Sequence, residues 1–172
     1  MDYYYCTAGC ITMTKSEKYE KLIKKIADEI RKASKNLCNA KIYQGLKNKI
    51  EGNSGYKHQI DVSITTNDKL VLIECKKREE KVGLGDTLIL IARVDDIRKK
   101  HPEFETTGLF FTTEGYTKNA LTLAEAYRIV CNTAKSESDF AAQIANNVLI
   151  GAKTLYMKLK LPKQKVITNS SL

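Results

Sequence analysis

The 172-residue chain predicts a single α/β domain, a mixed central β-sheet with helices packed on both faces. Two observations predict this fold class. The length, with 42% hydrophobic and 28% charged residues, fits one compact domain able to bury its own core. The patterned segments run helix, then two or three strands in a row, then helix–strand–helix–strand. Consecutive strands imply hairpin pairing, and the later alternation implies parallel crossovers, so both kinds of pairing share one sheet.

Residues 1–14 show no clear period and read as an N-terminal extension; residues 15–152 form the patterned domain. Residues 15–34 predict an amphipathic helix. Tyr19, Leu22, Ile23, Ile26, Ala27 and Ile30 recur at helical spacing, Ser16 is in place as N-cap, and the opposite face is rich in lysine. A short strand is expected over Ala40–Gln44. Gly45–Gly55 is polar and basic, with Gly52, Asn53, Ser54 and Gly55 as a turn cluster. His58–Thr65 alternates, with Ile60, Val62 and Ile64 on one face and Asp61, Ser63 and Thr65 on the other. After a turn at 66–69, Leu70–Lys76 is apolar on both faces until Glu74, the pattern of a buried central strand.

A helix is expected over 86–100, with Leu90, Val94 and Ile97 on one stripe and Leu88, Ile91 and Ala92 beside it. His101-Pro102 ends it. Gly108–Thr113 reads as a strand, Thr117–Tyr127 as a helix with Ala120, Leu123, Ala124 and Tyr127 inward, Ile129–Cys131 as a strand and Ser138–Ala152 as a further helix. Residues 153–172 carry five lysines and no acid, a basic tail.

Net charge is +9, from 29 Lys and Arg against 20 Asp and Glu, a surplus that suits a polyanionic partner such as nucleic acid. No stretch reaches the about eighteen consecutive apolar residues of a membrane-spanning helix, so no membrane partner is expected. The five cysteines are odd in number and irregular in spacing, with no signal peptide before them, which predicts a reducing, cytoplasmic setting. Cys6 and Cys10 form a lone CxxxC without a second ligand pair.

The informative residues are Asp61, Glu74 and Lys76. Residues two apart on a strand share a face, so Glu74 and Lys76 point together while Cys75 points into the core behind them. If Asn67-Asp68 is the loop of a hairpin, Thr66 pairs with Lys69. Five steps back from Thr66 is Asp61, and five steps on from Lys69 is Glu74. The two carboxylates then oppose each other, Cβ atoms roughly 5 Å apart. Such a pair repels unless a cation sits between, and Mg2+, which takes hard oxygen ligands and keeps waters, is the natural occupant. Lys76 is on the same face, in place to neutralise charge or orient a metal-bound water. The competing reading is an ordinary ion pair at a sheet edge.

The segments SGYKHQIDVSI, LVLIECKK and GLFFTTEGYTKNALTLAEAYRIV resemble the Mrr-like restriction endonuclease family of the PD-(D/E)XK nuclease superfamily, over roughly residues 16 to 131. The resemblance implies a restriction-endonuclease-like fold and a Mg2+-dependent deoxyribonuclease, with Mn2+ able to substitute. It implies Asp61 and Glu74 as metal ligands, the backbone carbonyl of Cys75 as a further ligand and Lys76 as the catalytic lysine. An acid on the first helix is also implied, and Glu20 fits that place, with Glu17 and Glu29 as rivals. Gln59 matches a recurrent polar position. Ile60 stands where the superfamily's name has proline.

Other candidates are weaker. Thr112 and Thr113 end a strand, where hydroxyls meet either a phosphate or a neighbouring backbone group. His58 falls on the opposite strand face from Asp61, and His101 sits at a helix end. Gly83-Leu84-Gly85 lacks the glycine and lysine of a phosphate-binding loop. The leading expectation is an endonuclease acting on DNA as a homodimer, one subunit for each strand. The alternatives are a Holliday-junction resolvase or repair nuclease with the same metal site, or a non-catalytic nucleic-acid-binding protein.

Overall fold

The structure, a computed structural model, describes residues 20–22, 24, 25, 28, 40–136, 139 and 143. The described elements are β1 (Lys41–Gln44), a 3-10 turn (Gly45–Lys47), β2 (Lys49–Glu51), β3 (Lys57–Gln59), β4 (Val62–Thr65), β5 (Lys69–Lys76), α1 (Leu84–Lys100), β6 (Glu105–Thr112), α2 (Lys118–Ala126) and β7 (Ile129–Thr133). The main sheet runs β1-β4-β5-β6-β7, and β2–β3 form a separate two-stranded sheet. β1, β4 and β5 pair antiparallel, while β5, β6 and β7 pair parallel through α1 and α2. This is the mixed sheet flanked by helices that the order of segments predicts.

β5 is the middle strand because its side chains are apolar in both directions. Val71, Ile73 and Cys75 join Val62, Ile64, Leu109 and Phe111 on one face, where Leu22 of the first helical segment packs. Leu70 and Leu72 join Phe110 on the other, beneath Leu90, Ile91, Val94 and Ile97 of α1 and Ala120 and Ala124 of α2. A large apolar side chain fully withdrawn from water contributes about 1.5–3 kcal/mol. α1 lies so close to the sheet that a Cβ at Gly108 would meet Val94 Cγ2 at 2.9 Å and Ile129 Cδ1 at 2.6 Å.

Four sequence expectations are corrected. The segment 58–65 is not one strand: β3 ends at Gln59, the chain bends at 60–61, and β4 begins at Val62. Ile60 therefore joins the α1 side of the core, while Val62 and Ile64 join the other. The polar stretch 45–55 holds the 3-10 turn and β2 as well as the expected turn cluster. On α1, Leu88 is 49% exposed and Ala92 is exposed too, since the buried stripe passes through Leu90, Ile91, Val94 and Ile97. Tyr127 is outward, because it is the C-cap of α2 rather than part of its inner face.

α1 ends at His101 and α2 starts from an N-cap at Thr117, whose hydroxyl accepts from the Ala120 N–H. No helix among the described residues is long and apolar enough to cross a membrane. The expectations for residues 1–14, for Glu17, Glu29, Cys6 and Cys10 and for the tail 153–172 lie outside the described residues. So does most of the expected helix over Ser138–Ala152, of which Asp139 and Gln143 are described, both helical.

Candidate active site

β4 and β5 pair in the register counted from the turn: Thr65 faces Leu70 and Val62 faces Ile73. The next positions outward are Asp61 and Glu74. Glu74 follows Leu70 and Leu72 on the face that α1 covers. It is a buried carboxylate at 5% exposure, reached by an arginine from that helix. Lys76 shares the face, with Nζ 2.9 Å from Glu74 Oε1, and Arg93 Nη1 lies 3.2 Å from Glu74 Oε2. Each oxygen of the buried carboxylate thus meets one cation.

Asp61 sits where the β4–β5 ladder stops. Its Oδ2 accepts the Cys75 N–H at 2.8 Å, taking the donor at the position that continued pairing would give to Ile60. Ile60 is instead turned to Asn48. The Ile60 N–H donates to the Asn48 carbonyl at 3.0 Å, and the Asn48 side-chain amide donates to the Ile60 carbonyl at 2.8 Å. The Gly45 N–H closes the arrangement on the Asp61 carbonyl at 3.0 Å. Gly45 has φ +72°, a left-handed conformation that glycine adopts without steric cost.

Electrostatics mark the same place. Burial pushes the Asp61 carboxyl up from 3.8 to about 7, and the charge of Glu74 adds to the rise. The Cys75 N–H and Lys76 oppose it, while Glu20 raises it further. Glu20 lines a cavity of about 340 Å3 with Gln44, Gly45, Lys47 and Gln59. The Cys75 thiol is buried in the core, which pushes its pKa well above the ordinary value, and it is the backbone N–H of Cys75 that meets Asp61.

The donor chemistry fits a hard divalent ion. Asp61, just before β4, and Glu74, on β5, offer carboxylate oxygens, and the Asp61 carboxyl is raised first by burial and then by the charge of Glu74. Mg2+ needs only one or two carboxylates and keeps several waters. Among the described residues no group of three or more His, Cys, Asp or Glu side chains forms a metal cluster.

The weaker candidates resolve into structural roles. The Thr112 hydroxyl accepts from the Glu114 N–H and the Thr113 hydroxyl donates to the Arg78 carbonyl, both strand-end contacts. His58 Nε2 lies 2.7 Å from Asp96 Oδ2, away from the carboxylate pair. His101 Nε2 is 3.1 Å from the Glu51 carbonyl. Two residues of the site escape sequence reasoning, Asn48 and Arg93. Arg93 carries a faint signal, a cation interrupting the run Leu88–Val94 of an otherwise apolar helix segment.

Compared by sequence, the chain matches no protein-family model and no curated protein. Compared by structure, it is similar to a protein of unknown function, AF1548, at TM-score 0.53 and 19% identity, covering 68% of this chain and 57% of that one. It is similar to the protein VC1899 from Vibrio cholerae at TM-score 0.56 and 16% identity, covering 76% of this chain and 33% of that one. A repair endonuclease from Pyrococcus abyssi gives TM-score 0.46 and 16% identity over 72% of this chain and 48% of that one. The chain thus spans 57% and 33% of the length of the first two. The likeness to them is one of fold, a central mixed sheet flanked by helices.

Proposed function

We propose that the protein is a metal-dependent nuclease that hydrolyses DNA phosphodiester bonds, with Asp61, Glu74 and Lys76 at its centre. The observation that carries this reading is the gathering of the three at the end of the β4–β5 ladder, Glu74 and Lys76 on one face of β5 and Asp61 in the bend beside it. Asp61 follows directly on the last β4–β5 pair and its carboxylate accepts the Cys75 N–H, Lys76 touches Glu74, and the Asp61 carboxyl is pushed up by burial and by the charge of Glu74. The quoted sequence resemblance to Mrr-like nucleases supports the same residues.

Asp61 and Glu74, with the Cys75 carbonyl, would hold Mg2+ or Mn2+. A hard divalent ion bound there supplies polarisation of a phosphoryl oxygen and a bound water that is more readily deprotonated. The chain's own residues do the rest. The Cys75 N–H fixes the Asp61 carboxylate in one orientation. Lys76 offers N–H donors to charge developing on the phosphate or the attacking oxygen. Glu20, in the first helical segment, adds negative charge from the neighbouring cavity. Hydrolysis adds a water oxygen to phosphorus and breaks one P–O ester bond, the leaving oxygen taking up a proton. The excess of positive charge suits a nucleic-acid backbone, and a homodimer would bring one such site to each strand of a duplex.

The test is a nicking assay on plasmid DNA in Mg2+ with the full chain. Asp61→Ala and Glu74→Ala should abolish cleavage while DNA binding survives. Lys76→Ala should retain metal binding and lose most of the rate, by about a hundredfold or more. Glu20→Ala should give a smaller loss. Folded Asp61→Ala and Glu74→Ala proteins that cut as fast as wild type would overturn the assignment. Wild-type protein that binds DNA without cutting it in Mg2+ or Mn2+ would favour a binding module instead.

A further inference from the structure

Arg93 stands at Glu74 with no role in the chemistry so far described. It projects from α1, and its Nη1 meets Glu74 Oε2 at 3.2 Å while Lys76 holds Oε1 at 2.9 Å. Glu74 is buried, its side chain only 7% exposed, whereas Arg93 and Lys76 are 31% and 29% exposed. The two cations are thus the solvent-reaching members of the cluster, and Glu74 is its buried one. Without a metal, Lys76 and Arg93 both spend their charge on Glu74, one on each carboxylate oxygen. A divalent ion matches the carboxylates by itself. Lys76 and Arg93 are then in surplus at the mouth of the site, and the partner that absorbs such a surplus is a phosphate.

Arginine suits this use better than lysine. Its guanidinium stays charged and carries five N–H donors in a planar fork, so donors remain when one is spent on Glu74. We propose that Arg93 is a second catalytic cation, held on Glu74 in the free protein and placed there to bind a non-bridging oxygen of the scissile phosphodiester once a metal occupies the carboxylates. This rests on the nuclease reading above. The competing role is structural, with Arg93 compensating the buried charge of Glu74 and keeping its rotamer.

The two roles differ in what they do to metal affinity. The full-length wild type, Arg93→Ala and Arg93→Lys are compared in two measurements: Mg2+ binding without DNA by calorimetry, and the kcat of plasmid nicking at saturating Mg2+. Arg93→Ala should bind Mg2+ as tightly as wild type or several-fold more tightly, because Glu74 Oε2 is released, while kcat falls by about a hundredfold. Arg93→Lys should recover part of the rate, since it keeps the charge and loses the fork. Weaker Mg2+ binding by folded Arg93→Ala, with a rate restored by excess Mg2+, would assign Arg93 to positioning and overturn the proposal. An unchanged kcat in Arg93→Ala, where the wild type cuts, would overturn this proposal alone. A wild type that neither binds Mg2+ nor cuts would overturn the nuclease reading and this proposal with it. If the alanine variant does not fold, Arg93→Lys against Arg93→Gln decides between the same outcomes.

Discussion

Asn48 holds its side chain in the interior at 6% exposure and uses it from both ends. The amide nitrogen donates to the Ile60 carbonyl at 2.8 Å, and Oδ1 accepts the Ser63 hydroxyl at 2.9 Å. These bonds span the bend that carries Asp61, so one side chain sets where the β4 ladder ends and where the carboxylate begins. Truncation would leave the Ser63 hydroxyl and the Ile60 carbonyl without that partner in a dry place, at about 1–3 kcal/mol for each group left unsatisfied. Asn48→Ala should therefore lower the urea midpoint. It should also slow nicking more than tenfold at a temperature where the protein stays folded, because displacement of a reactive group by about 1 Å costs on the order of a hundredfold. A variant with the wild-type midpoint and rate would remove Asn48 from the support of Asp61. The sequence does not reveal this residue, because an asparagine in a polar stretch reads as a turn until the chain that covers it is known. The β4–β5 register and the shared face of Glu74 and Lys76 are legible for the opposite reason, whereas the bend that takes Asp61 out of the ladder is not. The register and the shared face are local, fixed by one turn and the two-residue period of a strand. Arg93 reaches Glu74 across a helix–sheet interface that no periodicity encodes.

The β2–β3 hairpin is the element least visible in the sequence, since its three-residue strands are polar and too short to show alternation. It is fastened to α1 by Asp96. The Asp96 carboxylate accepts the Ser54 N–H at 2.9 Å and the Ser54 hydroxyl at 2.6 Å, and it lies 2.7 Å from His58 Nε2. The Asn53 N–H donates to the Asp96 carbonyl at 3.0 Å. A Cβ at Gly52 would displace the Asp96 carboxylate from these contacts. The Ser54 hydroxyl and then His58 hold the Asp96 carboxyl down from 3.8 to about 2. A carboxyl whose pKa is lowered on folding stabilises the fold above its unfolded pKa, and that contribution is lost as pH falls through the folded one. The hairpin clamp should therefore be complete above about pH 4 and weaken between about pH 4 and pH 2. Hydrogen exchange at the Asn53 and Ser54 amides should speed up across that window beyond its intrinsic pH dependence, and Asp96→Asn should remove the extra step. Equal protection in both proteins across the window would show that the carboxylate does not hold the turn. On the other side of α1, Gly108→Ala should destabilise the protein by about 1–3 kcal/mol, because Val94 and Ile129 already fill the space a methyl group would need. A denaturation midpoint equal to wild type would mean that α1 can retreat from the sheet without cost. The long elements, β5 and α1 above all, were legible because their apolar periods persist over several turns or residues.

Across the whole molecule, the carboxylate pair is an acidic spot in a chain of net charge +9. Two described clefts flank it with cations. Lys47 lines the cavity beside Glu20, and Lys77, Arg78 and Lys135, with Thr113 and the acids Glu79 and Glu114, line a groove of about 460 Å3 just beyond Lys76. Arg78 in that groove is already committed to Asp86 through contacts of 2.8 and 3.1 Å, so Lys77 and Lys135 are the cations nearest to hand for a phosphate there. The tail 153–172 adds five lysines to the total. If these groups grip a DNA backbone, each phosphate they neutralise releases counterions, and the logarithm of affinity falls with the logarithm of salt by about 0.9 for each contact on a duplex. Binding of a short duplex, measured without divalent metal between about 50 and 200 mM salt, should show a steep slope. Lys77→Ala with Lys135→Ala should reduce that slope by about two, and removal of 153–172 should reduce it separately if the tail also meets phosphates. Neither change should alter the metal requirement for cleavage, because neither touches Asp61 or Glu74. A slope that stays the same in the double variant would mean that the groove beyond Lys76 does not carry the DNA, and the backbone would have to run past Lys47 instead.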